Sequence, residues 1–196
     1  MITRTLFCGE CRARLFGGKN LCHPTFPYIL GAACEYEDPV LQSLILALKF
    51  RMRRAAAEPL TDLIKEYLHS VGDLFEGCTV MPIPLSRRRF RARGFNQAEF
   101  LARPIADFLE LPLDTTTFTR IRHTKPQTET ESAAERRENL RGCFAVLDTG
   151  NSRAVRGKNI LLVDDVTTTG TTFLEAARTL KAAGAGTVYA LAAAKA

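Results

Sequence analysis

The sequence predicts an α/β protein: a mostly parallel sheet flanked by helices on both faces, preceded by a small cysteine-rich module. Three observations lead there. From residue 77 onward, short apolar runs alternate with stretches of helical period, the order that builds parallel sheets. Residues 160–163 (ILLV) are aliphatic without a break, as suits a central strand covered on both sides. Four of the six cysteines, Cys8, Cys11, Cys22 and Cys34, fall in the first 34 residues.

In chain order, residues 1–36 form the module and 37–196 the main domain, with a helical lead-in over 37–76 and the sheet core over 77–196. Val40, Leu41, Leu44, Ile45 and Leu48 share one helical face. Leu60, Leu63, Ile64, Tyr67, Leu68 and Val71 make a second stripe. CTVMPIPL (78–85) is a strand that breaks into a loop at its prolines. Ala98, Leu101, Ala102, Ile105, Ala106 and Leu109 have helical spacing, with a kink or early break expected at Pro104. Residues 112–121 alternate as a strand does, and the polar residues 122–131 read as a mobile loop. Ser132 and Glu135 form a capping box for a short helix through Arg137. CFAVLD (143–148) is a brief strand and NILLVDD a buried one. Phe173, Ala176, Ala177, Leu180 and Ala183 mark a helix stopped by Gly184, and TVYALAAA is the last strand.

Composition narrows the function classes. Hydrophobic residues make up 46% and charged residues 24% of 196, ordinary for a globular chain. No apolar run approaches the roughly 18 residues that span a bilayer, so no membrane insertion is expected. MITRTLFCGEC lacks the apolar stretch of a signal peptide, which makes the cytoplasm the default and a disulfide framework unexpected. The net charge of +6 suits phosphate-bearing ligands.

The most informative stretch is ILLVDDVTTTGTT, residues 160–172. A buried strand ends in Asp164 and Asp165, and a hydroxyl-rich turn then opens a helix. Thr167, Thr168, Thr169, Gly170, Thr171 and Thr172 supply hydroxyls and backbone N–H groups at a helix N-terminus, a cradle for phosphate. Carboxylates repel phosphate, so the two acids require hydroxyls or a metal. A sugar phosphate meets both demands.

These residues resemble the phosphoribosyl pyrophosphate (PRPP) signature of type I phosphoribosyltransferases. The resemblance implies that Asp164 and Asp165 are the catalytic acids, contacting ribose hydroxyls directly or through Mg²⁺. It assigns residues 167–172 to the 5′-phosphate. A wider resemblance covers almost the whole chain. LILALKF (44–50), MPIPLSRRRFRARGFNQAEFLA (81–102), TKPQ (124–127) and RRENLRGCF (136–144) follow the order seen in the ComF family, which is linked to DNA uptake in natural transformation. That implies a type I phosphoribosyltransferase fold with a zinc-ribbon-like N-terminal module. Pyrophosphate would then meet Pro84, Leu85, Ser86 and Arg87, with Arg93 in support. A loop over 120–131 would close on PRPP, and Lys49 of the LKF motif would face the site.

Two features stay open at this level. The five arginines between Arg87 and Arg93 can hold pyrophosphate, can hold single-stranded DNA with Phe90 and Phe95 as stacking faces, or can be a solvated basic loop. Cys8-Gly-Glu-Cys11 is one zinc knuckle, but the second CxxC usual in the family is missing. Cys22 is the third candidate for structural Zn²⁺, with Cys34 or His23 as the fourth. Two functions follow. One is transfer of a phosphoribosyl group from Mg·PRPP with release of pyrophosphate. The alternative is a non-catalytic protein that senses PRPP or a nucleotide, or binds single-stranded DNA, alongside a competence helicase.

Overall fold

The computed structural model describes residues 6–8, 10–11, 14–15, 23, 25–50, 54–122, 138, 140–147 and 155–196. Its main sheet is organised around β7 (Asn159–Thr167), whose residues Ile160, Leu161, Leu162 and Val163 are fully buried. A strand covered on both faces needs apolar side chains on both, and this run supplies them. β7 pairs in parallel with β8 (Val188–Lys195) on one side and β4 (Cys78–Pro82) on the other. β3 (Ile29–Glu35) continues the parallel set beyond β8. β1 (Leu6–Cys8) and β2 (Arg14–Leu15) add antiparallel strands, giving the order β2-β1-β3-β8-β7-β4. β3 falls inside the segment 1–36 expected to form a separate module, yet it pairs with β8 along its length.

Side chains alternate across β7 and divide the core in two. Leu161 and Val163 pack with α1 (Pro39–Phe50), α2 (Ala57–Val71) and α4 (Gln97–Phe108). Ile160 and Leu162 pack with α5 (Thr171–Ala182) and a two-stranded ribbon, β5 (Phe118–Arg120) with β6 (Phe144–Val146). The ribbon is fastened by the stacked rings of Phe118 and Phe144, 5.1 Å apart. Helices thus lie on both faces of a mostly parallel sheet, as the alternation of elements predicts. Among the described residues, no helix is long and apolar enough to cross a membrane.

Three local expectations change. The strand expected over 112–121 is confined to β5. Asp114 Oδ1 accepts the N–H groups of Thr116 and Thr117, each at 2.9 Å, and this turn takes the backbone out of an extended path. α4 does not stop at Pro104 but runs on to Phe108. Ala98, Leu101, Ala102, Ile105 and Ala106 are buried against the sheet, and that packing holds the helix across the lost hydrogen bond. The arginine run is no loop: Ser86 caps a helix, α3 (Arg87–Arg93), through its Oγ and the Arg89 N–H, and Gly94 ends it in a left-handed conformation. The loop residues 123–131 and the Ser132–Glu135 capping box with its helix lie outside the described residues.

α2 approaches the sheet closely because β3 carries a glycine beneath it. The Tyr67 ring, fully buried, lies over Gly31, where a Cβ would fall 2.8 Å from the tyrosine oxygen. Burial holds the Tyr67 phenol well above its ordinary pKa. Gly31→Ala is therefore expected to destabilise the fold by about 1–3 kcal/mol, the usual cost of overpacking. Urea unfolding checks this: the midpoint should fall with the slope unchanged, and an unchanged midpoint contradicts the packing described.

Candidate functional site

Parallel strands deliver the ends of their chains to one edge of a sheet, and ligands gather there. β4 and β7 run in register as far as Pro82 and Val163, and the Ile83 N–H donates to the Val163 carbonyl at 2.8 Å. The segments that follow, residues 84–86 and the acids Asp164 and Asp165, therefore emerge side by side.

The two acids have different surroundings. Asp164 is half-buried and lines a small cleft with Val166, residues 167–172 and Phe173. Burial, then the neighbouring Asp165, push its carboxyl up to about 7, with Lys49 pulling the other way. Asp165 is only 3% exposed and does not line that cleft. Its Oδ1 accepts the Val166 N–H at 2.8 Å and lies 3.1 Å from Lys49 Nζ in the last turn of α1. Its Oδ2 is buried and has no hydrogen-bond partner among the described residues. Of the two acids assigned to ribose, one thus lines the cleft and the other is buried. Lys49 reaches the acids, but through Asp165.

The turn after β7 is built to be tight. Gly170 adopts φ 75°, in the left-handed region, and heads α5. A Cβ there would collide with the Tyr28 hydroxyl, which donates to the Gly170 carbonyl at 3.3 Å. The Thr169 and Thr171 hydroxyls lie 2.7 Å apart. Thr167 and Thr171 are buried, while Thr168 is exposed to the cleft mouth. A first helical turn that brings N–H groups and hydroxyls together around a glycine suits an anion. Tyr28 escaped the sequence reading. It looks like the start of an apolar strand, and nothing local connects it to a turn 142 residues later.

Helical winding sorts the arginines onto two faces. Arg87, Arg88 and Arg91 line an open cleft of about 480 Å³ with Arg120, Ile121 and Arg122. Arg89 sits with Arg93 and Arg120, and burial followed by these two cations lowers its pKa, while Asp164 opposes the shift. Arg120, on β5, is 7% exposed, lies 5.5 Å over the Phe144 ring and is likewise lowered by burial, with Cys143 and Asp164 opposing. Arg89 and Arg120 are thus the arginines that feel Asp164. Arg120 gave no sequence signal beyond its place in an alternating segment. Of the expected pyrophosphate residues, Pro84 and Leu85 are half-buried in the connection, Ser86 caps α3, Arg87 lines the cationic cleft, and Arg93 lies near Arg89. None of them lines the cleft at Asp164. Asn96 caps α4 and donates to the Ile83 carbonyl at 3.0 Å, so its role in RGFNQ is to hold the turn. Phe90 is exposed, whereas Phe95 is buried against Phe100 and offers no stacking face.

At the N-terminal ligand set the structure brings His23, not Cys34, to the two cysteines of the knuckle. Cys8, Cys11 and His23 place their ligand atoms within 4.8 Å of one another, with Cys8 Sγ 3.4 Å from His23 Nδ1. The Nε2 of the same ring lies 3.9 Å from Glu10. Two thiols and an imidazole suit zinc, and an outer carboxylate suits the free ring nitrogen of such a ligand. Cys34 does not join them. It pairs with Ala194 far along β3, whereas Cys8 sits opposite Ile29, and burial raises its pKa. Cys22 lies outside the described residues.

Comparison with known proteins adds a family to this geometry. Residues 93–195 match the phosphoribosyl transferase domain. The chain is 37% identical to the DNA utilization protein YhgH of Escherichia coli O157:H7 over 194 residues, covering 95% of this chain and 82% of that one. It is 38% identical to competence protein ComFC of Bacillus subtilis over 101 residues, covering 52% of this chain and 37% of that one. It is 35% identical to competence protein F of Haemophilus influenzae over 105 residues, covering 54% and 44%. A strand-end acid beside a threonine-rich anion cradle, on a chain with these relatives, places the protein in the ComF-like family of phosphoribosyl transferase domain proteins.

Proposed function

We propose that the protein binds Mg·PRPP at the carboxyl end of β7 and transfers its phosphoribosyl group to an acceptor, releasing pyrophosphate. The observation that supports this most is the shared cleft of Asp164 and residues 167–172. The 5′-phosphate would enter the turn, taking backbone N–H groups and threonine hydroxyls. The ribose hydroxyls would donate to Asp164. Magnesium arrives with PRPP as part of the substrate, and the carboxylate and hydroxyl oxygens here suit a hard cation.

In the reaction, an acceptor lone pair forms a bond to the anomeric carbon. The bond from that carbon to the pyrophosphate oxygen breaks, and pyrophosphate leaves with the electron pair. Arg89 and Arg120, which already act on Asp164, are placed to balance the leaving charge. Asp164 favours positive charge developing on the ring. Rate enhancement would come mainly from positioning and from these fixed charges.

A second reading, a protein that binds PRPP or single-stranded DNA without transfer, is favoured by the arginine cleft, which has no carboxylate among the described residues that line it. A competence helicase is the partner class in that case. Calorimetry with Mg·PRPP, then a pyrophosphate-release assay with candidate acceptors, separates the two. Binding followed by release supports transfer; binding without release supports the second reading; no binding contradicts both forms of PRPP recognition.

Structural zinc on Cys8, Cys11 and His23 is part of the same proposal, with Cys22 of the expected set the next ligand candidate. The metal would tie the first strands to the segment before β3.

Asp164→Asn should weaken PRPP binding at least about tenfold, the range for hydrogen bonds to a charged group. The raised pKa of Asp164 gives a pH dependence. The carboxylate, not the acid, accepts ribose hydroxyls, so affinity should rise as pH climbs through about 7. In Asp164→Asn that rise should flatten. The linked effect on stability has the opposite sense. A carboxyl whose pKa is raised on folding stabilises the fold below its unfolded value near 4, and this contribution is lost as pH rises towards 7. Thermal melts of Asp164→Asn should therefore gain on the parent most above pH 7, and equal melts at pH 5 and pH 8 would contradict the assignment. For the metal, purified protein should hold about one zinc per chain, and Cys8→Ser or Cys11→Ser should lose it. Stoichiometric zinc in both variants would count against the ligand set.

A further inference from the structure

A turn that takes phosphate depends on where its peptide N–H groups point, and glycine is the residue least able to fix that by itself. Gly170 is such a residue, with φ 75° and ψ 2° at the head of α5. Its carbonyl already accepts the Leu174 N–H at 2.9 Å, the first bond of the helix. One bond satisfies a buried carbonyl. The Tyr28 hydroxyl donates to it as well, at 3.3 Å, from a residue just ahead of β3 and 142 positions away in sequence. The ring that carries this hydroxyl is held in place. Tyr28 is buried, and its ring centroid lies 5.1 Å from that of Phe26 and 6.1 Å from that of Phe173, in the first turn of α5. A Cβ on residue 170 would strike the hydroxyl, so the close approach requires the glycine.

Resting on the PRPP reading above, we propose that Tyr28 is a positioning residue for the 5′-phosphate: by holding the Gly170 carbonyl it sets the direction of the Thr171 N–H in the turn. The peptide between Gly170 and Thr171 is planar and trans, so its C=O and N–H point in opposite directions. The carbonyl points along α5 towards the Leu174 N–H. The Thr171 N–H then points out of the N-terminal end of the helix, where no helical carbonyl can take it. Residues 167–172 line the cleft with Asp164 at that end. Tyr28 is not among the described residues that line the cleft, so it acts through the peptide and not on the ligand. A phenylalanine would fill the same space between Phe26 and Phe173. What the tyrosine adds is a hydroxyl directed at the turn.

Two variants and two ligands test this. Tyr28→Phe removes the hydroxyl and keeps the ring. Tyr67→Phe does the same to a buried tyrosine in the other layer of the core. Mg·PRPP and ribose 5-phosphate share the 5′-phosphate, and calorimetry measures the affinity of each. Tyr28→Phe should weaken both by the same factor, about fivefold, the worth of one hydrogen bond. Tyr67→Phe should leave both within about twofold of the parent, whatever it does to Tm. Amide hydrogen exchange reads the turn without any ligand: the Leu174 amide should exchange about fivefold faster in Tyr28→Phe, measured against amides of α4. Unchanged affinity for both ligands in Tyr28→Phe would overturn the proposal. Weaker PRPP binding with ribose 5-phosphate affinity retained would overturn it too, because the loss would then lie away from the 5′-phosphate. An equal loss in Tyr67→Phe would do the same, since the effect would then be one of general stability. A parent protein that binds neither ligand is a separate result. It ends the PRPP reading and the phosphate role of Tyr28 together. The Leu174 exchange then decides what is left: faster exchange keeps Tyr28 as the group that holds the turn, and unchanged exchange refutes that as well.

Discussion

A strand buried on both faces can carry charge only where the sheet ends. β7 obeys this strictly: four apolar residues without exposure, then Asp164 and Asp165 at the point where α1 and α5 leave room beside it. There α1 meets Asp165 with Lys49. The chain then turns through Gly170 into α5, and Asp164 opens onto the turn. A site that sets carboxylates beside such a turn follows from that single constraint.

The second ingredient is cationic charge brought by elements distant in sequence. α3 and β5 supply it from different parts of the chain: the ribbon is held by the stacked rings of Phe118 and Phe144, and the turn after α3 by the hydrogen bond from Asn96 to the Ile83 carbonyl. Burial lowers the pKa values of Arg89 and Arg120, and at Arg89 repulsion from Arg120 and Arg93 adds to it. Cations held close together and partly dry are poorly satisfied by one another, and an anion arriving between them relieves that cost. That electrostatic arrangement suits the proposed ligand, which is anionic at both ends and neutral at its sugar.

The fold was legible because its signals are strong and local. The aliphatic run of β7, the stripes of α1, α2 and α4 and the turn into α5 each reflect a period or a glycine that the chain cannot use otherwise. The turn between β7 and α5 was legible for the same reason, since residues 160–172 are contiguous. What stayed hidden depends on contacts between distant segments. Tyr28 under Gly170, Arg120 beside Asp164, and the choice of His23 over Cys34, both candidates in the sequence, beside Cys8 and Cys11 each depend on how distant segments meet. Local competition explains the rest. The Asp114 turn shortens β5, and a cap at Ser86 winds the arginines into a helix whose faces a linear reading merges.

The central claim is that a pentose 5-phosphate lies across the end of β7, with its sugar on Asp164 and its phosphate in the turn. A crystal structure of the protein with Mg·PRPP tests it most directly. The account predicts ribose hydroxyls within hydrogen-bond reach of Asp164 and the 5′-phosphate among the N–H groups of residues 168–172. Phosphate bound away from that turn, or a ribose out of reach of Asp164, would contradict it.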